Sequence, residues 1–392
     1  MREVAIVSAT RTAIGKFGGN LKETTPGQLG AVVLRESMRR ANVEPADVNE
    51  VIMGNVISGG QGMNVARQSA MLAGAPPKVP AFGVNKVCGS GLKSILLGAQ
   101  SIMLEDNEIV LAGGTESMST AIYGLRRARW GMKMGNEEIV DTMIYDGLWD
   151  IFNNVHMGMT AENLAERFRI SRQEQDEFSV RSQNKAETAI KTGRFKEEIV
   201  PVSIPQAKGD PIAFETDEFP RFGTNLESLS KLKPAFKKDG TVTAGNASGI
   251  NDGAAAVVLM SEEEARRRGL EPLATIVSYA TSALSPDIMG LGPVDATRKA
   301  LKRANLTLDQ IDLIEENAAF AAQSIAVNRE LGWNEDRINV NGGAIALGHP
   351  IGASGARILV TLLHEMKKRK TGLGLATLCI GGGQGIALVV RR

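Results

Sequence analysis

The chain repeats a pattern at an interval of 263 residues, from position 41 to position 304, and this repeat constrains the fold more than any single element. Residues 40–52 recur as residues 303–314. Adding the same interval to position 88, which is Cys88, gives position 351. This position lies inside a second glycine-rich turn that leads into an apolar helix. Two halves of one topology would place the Cys88 turn and the His349 turn at equivalent positions. We therefore expect these turns to face each other across one site.

Around the repeats, short apolar strands alternate with glycine-rich turns and amphipathic helices. Glycine accounts for 43 of the 392 residues, a share that suits tight turns and close approach of the backbone to a ligand. The alternation is typical of an α/β fold, in which helices pack on a buried sheet. The clearest predicted strands are 4–8, 50–53 and 109–112, and the clearest predicted helices are 28–40 and 91–103.

Residues 119–247 have no counterpart in the second half. They hold basic and aromatic stretches and a predicted helix from Thr160 through Leu164. We interpret them as an inserted lid or ligand-binding lobe, and a solvated, charged excursion is the alternative. The predicted division is a first half of residues 1–118 and 248–270, an insertion at 119–247, and a second half of residues 271–392.

Charge and cysteine content exclude several classes of protein. Lys and Arg number 45 against 44 Asp and Glu, a net charge of +1, which argues against a nucleic-acid binder. No apolar run approaches the roughly 18 residues of a membrane span, so no membrane partner is expected. Two distant cysteines cannot build a disulfide framework. A reducing, cytoplasmic location is the resulting expectation.

Cys88 precedes a predicted helix and is followed by Gly89. The helix dipole and the unpaired N–H groups at a helix start favour a thiolate, so we expect a lowered pKa for Cys88 and a nucleophilic role. A small core residue is the alternative, because buried cysteines in α/β proteins are common.

Cys379 ends an apolar strand and enters a loop with four glycines among the five residues 381–385. Such a loop presents bare N–H groups, as an oxyanion site requires. The alternative is a strand cysteine before an ordinary hairpin turn.

The three histidines receive different predictions. His349 lies between Gly348 and Pro350, where a constrained backbone can aim the ring, although an exposed turn histidine is the alternative. His364 is predicted on a solvated helix face, and His156 is undecided between loop packing and ligand contact. Metal binding is disfavoured because no two His or Cys residues have ligand spacing. The motifs of P-loop, dinucleotide-binding and serine-hydrolase proteins do not occur.

Three long motifs in order resemble the thiolase family, and within it the biosynthetic acetyl-CoA acetyltransferases. They are residues 85–91 around Cys88, residues 342–355 around His349, and residues 379–385 around Cys379. The resemblance covers essentially the whole chain. It implies a five-layered α-β-α-β-α core of two βαβαβαββ halves, with a loop domain inserted in the first.

The resemblance also implies roles for individual residues. Cys88 would be the nucleophile that takes the acetyl group, His349 its base, and Cys379 the second acid and base. One oxyanion hole would use His349 and a water held by Asn317, and the other the N–H groups of Cys88 and Gly381. The positions that resemble the family's CoA site are Leu148, His156, Met157, Arg221, Ser228, Ala244, Ser248, Ala319 and Phe320.

The activity implied is the reversible Claisen condensation of two acetyl-CoA to acetoacetyl-CoA and CoA, through an acetyl-Cys88 intermediate. CoA is then substrate and product, no metal or other cofactor is required, and a homotetramer, a dimer of dimers, is expected. A decarboxylating ketoacyl synthase would typically have His or Asn in place of Cys379.

Three alternatives remain open at this point. A 3-ketoacyl-CoA thiolase of broader chain length is one, because pocket depth near Met157 and Met289 cannot be read from sequence. A second is a catalytically weakened or silent CoA-binding homologue, because Ala318 stands where the family usually has glutamate after the asparagine. A third is redox control, in which the two cysteines oxidise to a disulfide.

Overall fold

Two halves with the same order of elements form the core of the protein, whose computed structural model describes residues 2–392. The strands are β1 (Val4–Thr12), β2 (Gly15–Lys16), β3 (Glu50–Gly54), β4 (Ala81–Val84), β5 (Ile109–Ser117), β6 (Tyr123–Leu125), β7 (Ile139–Asp141), β8 (Trp149–Asp150), β9 (Val155–His156), β10 (Ile199–Val200), β11 (Val202–Ile204), β12 (Ile212–Phe214), β13 (Asn251–Ser261), β14 (Ala274–Ala283), β15 (Leu313–Glu316), β16 (Leu373–Ile380) and β17 (Gln384–Arg391). The helices are α1 (Pro26–Arg40), α2 (Val65–Ala73), α3 (Ser90–Met103), α4 (Thr142–Gly147), α5 (Met157–Arg167), α6 (Arg172–Lys191), α7 (Leu226–Ser230), α8 (Glu262–Arg267), α9 (Gly292–Ala304), α10 (Ala321–Leu331), α11 (Ala344–Leu347) and α12 (Ile351–Arg369).

The long strands join in the order β15-β16-β17-β14-β1-β13-β5-β3-β4 over the described residues. The halves meet where β1 and β14 pair, at Ala5 with Thr275 and at Ile6 with Ala274. In the first half β4 pairs in parallel with β3. In the second half the corresponding pairing is a bridge between Ile314 and Ile338. Each half therefore follows the βαβαβαββ order, with one strand of the second reduced to that bridge.

The repeat predicted from the sequence is confirmed element by element. The helix-strand pair α1 and β3 in the first half corresponds to α9 and β15 in the second. Each helix has a proline in its first turn, where a missing N–H costs nothing. Asn42 and Asn305 follow the two helix ends with φ of 49° and 53°, a left-handed conformation that asparagine tolerates well.

The expected five layers are present. α3 and α12 lie between the two half-sheets, where their apolar side chains share one buried cluster with strands of both. α1 and α2 cover the outer face of the first half-sheet, and α9 covers that of the second. The two central helices approach closely, because a Cβ atom at Gly91 would lie 2.8 Å from the backbone N of Ala356. A larger residue at this crossing would separate the layers.

Residues 118–250 lie between β5 and β13, which pair as antiparallel neighbours from Ser117 with Asp252 onward. The helix predicted from Thr160 through Leu164 is part of α5. A buried ionic cluster ties this segment to the core: Arg11 donates to Glu198 Oε1 at 2.6 Å and to Asp217 Oδ1 at 2.7 Å. Among residues 2–392, no helix is both long enough and apolar enough to traverse a membrane.

The prediction for His364 is wrong. Its side chain is buried, and its Nε2 atom lies 2.9 Å from the carbonyl oxygen of Ala9 in β1. The basic residues near its helix end suggested an exposed face. However, α12 is one of the two central helices, so even its polar positions lie between half-sheets.

Candidate active site

Cys88, His349 and Cys379 line one cavity of about 620 Å³ at the boundary between the two halves and the inserted segment. The expectation that the two repeated turns face each other is therefore confirmed. Cys88 comes from the turn before α3, His349 from the turn before α12, and Cys379 from the end of β16. Residues almost 300 positions apart in sequence thus meet in one place.

The Cys88 turn is held in a constrained conformation. Val87 has φ of 47°, which is rare for a β-branched residue and costs of order 1–3 kcal/mol. Ser90 Oγ stabilises the turn by accepting from Lys86 N at 2.8 Å and donating to Val87 O at 2.7 Å. A Cβ atom at Gly89 would lie 2.4 Å from Ile380 Cδ1. Glycine at 89 therefore lets the Cys88 turn approach the end of β16.

The predicted lowering of the Cys88 pKa is wrong, because burial raises the pKa of this thiol. The backbone N–H groups of Gly381 and of Cys88 itself face the sulfur and offset part of the increase. α3 begins two residues after Cys88, so its start favours the thiolate less than desolvation disfavours it. The same two N–H groups form the donor pair that the resemblance implied for one oxyanion hole.

His349 is held from several directions. Its backbone N donates to Asn251 Oδ1 at 2.9 Å, and its Nδ1 atom lies 2.5 Å from Ser354 Oγ. Burial lowers the pKa of His349 to about 3, with a smaller effect of the same sign from the Arg357 charge. The imidazole is therefore neutral at pH 7 and able to accept a proton.

Asn317 lies beside the His349 ring, with Nδ2 at 3.3 Å from Nδ1 and 3.4 Å from Nε2. Its buried Oδ1 atom has no hydrogen-bond partner in the described structure. An unpaired buried amide oxygen is an acceptor site for an ordered water or a substrate group. Ala318, the next residue, is buried with φ of 53°. The acidic side chain expected there by resemblance is absent, and the adjacent buried acid is Glu316.

Cys379 is 2 % exposed and packs with Met157, Met289 and Phe320. Burial raises the pKa of this thiol well above its usual value, and the Cys88 thiol and the Glu316 carboxyl nearby act in the same direction. A thiol that resists ionisation gives a strongly basic thiolate once its proton is lost. The glycines after Cys379 form a hairpin turn between β16 and β17. The same turn supplies the Gly381 N–H that faces the Cys88 sulfur. The motif is therefore both a hairpin turn and a source of N–H donors.

Most of the residues predicted for CoA binding line the cavity. They are Leu148, His156, Met157, Arg221, Ala244, Ser248, Ala319 and Phe320. Ser228 does not line it. Its backbone N instead donates to Oδ1 of Asn225, the N-cap residue of α7, at 2.9 Å.

His156 faces the cavity, and its ring stacks on Phe236 with 4.6 Å between ring centroids. A Cβ atom at Gly158 would lie 2.2 Å from Phe236 Cδ2. Glycine at 158 is therefore what admits the Phe236 ring. Among residues 2–392 no group of His, Cys, Asp or Glu is arranged to hold a metal ion.

Sequence reasoning missed several residues around the site. Ser354 and Asn251 orient His349, and Glu116 and Glu316 are buried acids near the two thiols. Glu116 could have been found from the sequence, because adding the 263-residue interval of the repeat to position 116 gives position 379, which is Cys379. Nothing local in the sequence distinguishes Asn251 or Glu316.

Two thiols and a neutral imidazole line one cavity, and two N–H groups face one of the sulfur atoms, an arrangement that suits acyl transfer through a thioester. Comparison with known proteins gives the family. The thiolase N-terminal domain matches residues 4–263, and the thiolase C-terminal domain matches residues 270–392. The chain belongs to the thiolase family, and it is an acyltransferase.

Individual relatives are similar over their full length. The chain is 60% identical to the acetyl-CoA acetyltransferase of Cupriavidus necator over 392 residues, covering 100% of each chain. Its structure is similar to that of the Bacillus anthracis acetyl-CoA acetyltransferase, with a TM-score of 0.98, 47% identity, and 100% and 99% of the two chains covered. It is also similar to human mitochondrial 3-ketoacyl-CoA thiolase in complex with CoA, with a TM-score of 0.95, 44% identity, and 100% and 98% covered.

Proposed function

We propose that the protein is an acetyl-CoA C-acetyltransferase, which joins two acetyl-CoA reversibly into acetoacetyl-CoA and CoA. The observation that carries the proposal is the convergence of Cys88, His349 and Cys379 on one cavity, with the Gly381 N–H aimed at the Cys88 sulfur. The names of relatives that are similar over their whole length support the same activity.

In the first half-reaction, Cys88 Sγ attacks the thioester carbonyl of acetyl-CoA while its proton passes to His349. The carbon–sulfur bond to CoA breaks, and the departing CoA thiolate takes a proton from Cys379. The acetyl group then remains on Cys88 as a thioester. Transfer from one thioester to another is nearly balanced in free energy, so this step is reversible.

In the second half-reaction, the Cys379 thiolate removes a proton from the methyl group of a second acetyl-CoA. The resulting enolate carbon attacks the acetyl-Cys88 carbonyl, and acetoacetyl-CoA forms as the bond to Cys88 breaks. The Cys88 sulfur recovers its proton from His349, which returns all three groups to their starting state. Donors preorganised at the enolate and tetrahedral oxygens lower both barriers.

In this proposal the inserted segment, residues 119–247, is the lobe that binds CoA. Arg221 and Lys16 line the cavity beside the apolar side chains of Phe219 and Phe236. Positive side chains suit the CoA phosphates, and the apolar surface suits the pantetheine arm. Ser228 and the exposed Lys231 lie nearby in sequence on α7 and its end, so a role for them at the phosphate end stays a prediction.

The length of the acyl chain is the second question. Met157, Met289 and Phe320 surround Cys379 with large side chains, which favours a short acyl group. The similarity to a 3-ketoacyl-CoA thiolase at 44% identity keeps the broader chain length as the second candidate. Thiolysis of acetoacetyl-CoA and of a long-chain 3-ketoacyl-CoA by the same preparation separates the two. Comparable kcat/KM values for both substrates would favour the second candidate.

We also propose a homotetramer and a cytoplasmic location. Trp130, Met132 and Met134 are exposed apolar side chains of the inserted segment, and β4 lies at the edge of the large sheet. Exposed apolar residues and an open strand edge suit contacts between copies. The reaction needs Cys88 and Cys379 as free thiols, which suits a reducing compartment. Analytical ultracentrifugation tests the assembly, and a monomer at micromolar concentration contradicts it.

The central experiment is Cys88→Ala assayed in both directions. Condensation and thiolysis are expected to fall together to background, because each passes through acetyl-Cys88. Labelling of the wild-type protein by radioactive acetyl-CoA, followed by mapping of the label to Cys88, is the matching positive result. Binding of CoA without any labelling of Cys88 would favour the silent homologue instead.

A further inference from the structure

Glu116 occupies the position in the first half that Cys379 occupies in the second. The 263-residue interval of the repeat places residue 117, the last of β5, on residue 380, the last of β16. Glu116 and Cys379 are therefore the penultimate residues of equivalent strands. The repeat thus puts a carboxylate on one side of the site where the other side has a thiol.

The Glu116 carboxylate accepts from four donors. Its Oε2 atom accepts from the backbone N of Val56 at 3.0 Å and of Gly352 at 2.9 Å. Its Oε1 atom accepts from Asn55 Nδ2 at 2.8 Å and from the backbone N of Ile57 at 3.3 Å. These donors stabilise the ionised form and offset part of the cost of burying it.

One of those donors begins the helix that follows His349. Gly352 is the second residue of α12, and Ser354, which contacts His349 Nδ1, is two residues further. A Cβ atom at Gly352 would lie 2.7 Å from Glu116 Oε2. Glycine at 352 therefore allows the carboxylate to reach the helix start, and this contact fixes the turn that carries the base.

The other donors belong to the wall around the nucleophile. Val56, Ile57 and Ile351 form a buried apolar cluster against which Cys88 packs. Glu116 holds the backbone on both sides of this cluster, from Val56 and Ile57 on one side and from Gly352 on the other. One side chain thus fixes the relative position of the Cys88 wall and the His349 turn, which come from different halves.

We propose that Glu116 is a positioning residue of the acyl-transfer site, which as a buried carboxylate holds the His349 turn against Cys88 and acts on the Cys88 thiol through its charge. This inference rests on the proposed function for its effect on acyl transfer. Its effect on the thiol rests on the contacts of Glu116 with the wall around Cys88 and on the Glu116 charge, and does not need the proposed function. Because burial raises the pKa of Glu116 to about 7, its carboxylate is fully charged only above that pH, which includes the range in which the Cys88 thiol titrates. The titratable neighbours that act on it or respond to it are Asp252 in β13 and Cys88.

The charge has a chemical consequence. A negative charge near Cys88 raises the pKa of its thiol, which makes the thiolate a poorer resting state and a stronger nucleophile. The acylated state of Cys88 is neutral and does not meet this repulsion. The Glu116 charge therefore keeps Cys88 a neutral thiol until its proton is removed, and its contacts with the His349 turn are what act on acetyl transfer.

The test uses the full-length wild-type protein, Glu116→Gln, Glu116→Asp and the matched control Glu162→Gln. Glu162 is a buried carboxylate that accepts from the backbone N of Thr241 and Val242 at 2.8 Å, so its replacement by Gln removes a similar charge and similar hydrogen bonds in the inserted segment. The first measurement is the rate of Cys88 alkylation by iodoacetamide against pH, followed by peptide mass spectrometry. The second is the single-turnover rate of acetyl transfer from acetyl-CoA to Cys88.

Glu116→Gln is expected to lower the Cys88 pKa by about half a unit or more and to slow acetyl transfer about tenfold to a hundredfold. Glu116→Asp keeps the charge but is one methylene too short, so the Cys88 pKa is expected near the wild-type value while transfer slows. Glu162→Gln is expected within about twofold of wild type in both measurements. Equal changes in Glu116→Gln and Glu162→Gln, or an unchanged Cys88 pKa in Glu116→Gln, would overturn the proposal.

Two further outcomes separate the proposals from each other. If the Glu116 variants do not fold, the Cys88 pKa of the wild-type protein becomes the test. A value below that of a free cysteine would contradict the proposed effect of the Glu116 charge on the thiol. Wild-type protein that is alkylated as expected but never acetylated contradicts the proposed function and leaves the effect of Glu116 on the thiol standing.

Discussion

The backbone N–H of Gly381 faces the Sγ atom of Cys88, so the hairpin after Cys379 supplies a donor to a thiol of the other half. In the acetylated enzyme the same N–H can face the oxyanion that forms at the Cys88 carbonyl. The site is therefore assembled across the two halves, and neither half contains it alone.

Removal of the Gly381 N–H is the first prediction. Gly381→Pro eliminates this donor, and acyl transfer is expected to slow about 10²- to 10³-fold, the usual cost of one oxyanion donor. Gly381→Ala is the control, because it keeps the N–H and its Cβ atom would lie 3.3 Å from Met157 Sδ and Val87 Cγ1. Single-turnover acetylation of Cys88 measures both variants. Equal losses of acetylation rate in the two variants would mean that crowding by the added side chain, and not loss of the N–H, causes the effect.

The pH dependence of stability is the second prediction. Burial lowers the pKa of His349 to about 3 from 6.5, so the unfolded state binds a proton here more readily than the folded state. The contribution of neutral His349 to the free energy of unfolding is complete above about pH 6.5, and it is lost as the pH falls toward 3. In His349→Asn, urea unfolding between pH 6 and 4 is expected to depend less steeply on pH, by up to about 1.4 kcal/mol per pH unit. An unchanged slope would show that His349 is not buried as a neutral ring.

The stacked pair of His156 and Phe236 gives the third prediction. Gly158→Ala forces the Phe236 ring out of its place, because a Cβ atom would lie 2.2 Å from it. The KM for acetyl-CoA is expected to rise about tenfold while iodoacetamide alkylation of Cys88 stays near the wild-type rate. Gly59→Ala serves as the control, since no heavy atom lies within 4 Å of its added Cβ. Steady-state kinetics and CoA titration calorimetry distinguish a binding defect from a defect in chemistry.

Ala318 gives the fourth prediction. The Asn317 amide is weakly held, at 3.3 Å and 3.4 Å from the His349 ring nitrogens and with Oδ1 unpartnered in the described structure. An acidic side chain next to it is expected to order the surrounding network, so Ala318→Glu should raise the condensation rate and leave Cys88 acetylation unchanged. Ala318→Gln is the control, because it adds a side chain of similar shape to glutamate that carries no charge. No change in the condensation rate of Ala318→Glu would count against reduced turnover in the wild-type protein.

Redox control by the two cysteines is the fifth prediction. The Cys88 thiol raises the pKa of the Cys379 thiol, as expected for neighbouring sulfur atoms that line one cavity. Mild oxidant is therefore expected to abolish activity, and dithiothreitol to restore it, with the disulfide mapped by non-reducing peptide mass spectrometry. In Cys379→Ser, which is expected to be inactive with or without oxidant, the same peptide map should show no disulfide at Cys88. Activity that is insensitive to both reagents would exclude this control.

Much of the architecture was predictable, because the repeat is a property of spacing. The interval between residues 40–52 and 303–314 correctly placed the Cys88 and His349 turns at equivalent positions, and the motif around Cys379 supplied the third group. Periodic apolar positions also located α1, α3, β3 and β5 within a few residues. These features depend on residues close together in the chain, which a pattern can report.

Other properties depended on which distant atoms surround a side chain. Local sequence at Cys88 suggested a helix start and a lowered pKa, whereas desolvation by residues of both halves raises it. The basic run after His364 suggested exposure, whereas α12 is enclosed between half-sheets. The donors to Glu116 come from residues 55–57 and from Gly352. Spacing along the chain determined which groups exist and which turns are equivalent, but only the tertiary structure decided their burial and their partners, because desolvation and hydrogen bonding depend on atoms that folding brings from elsewhere in the chain.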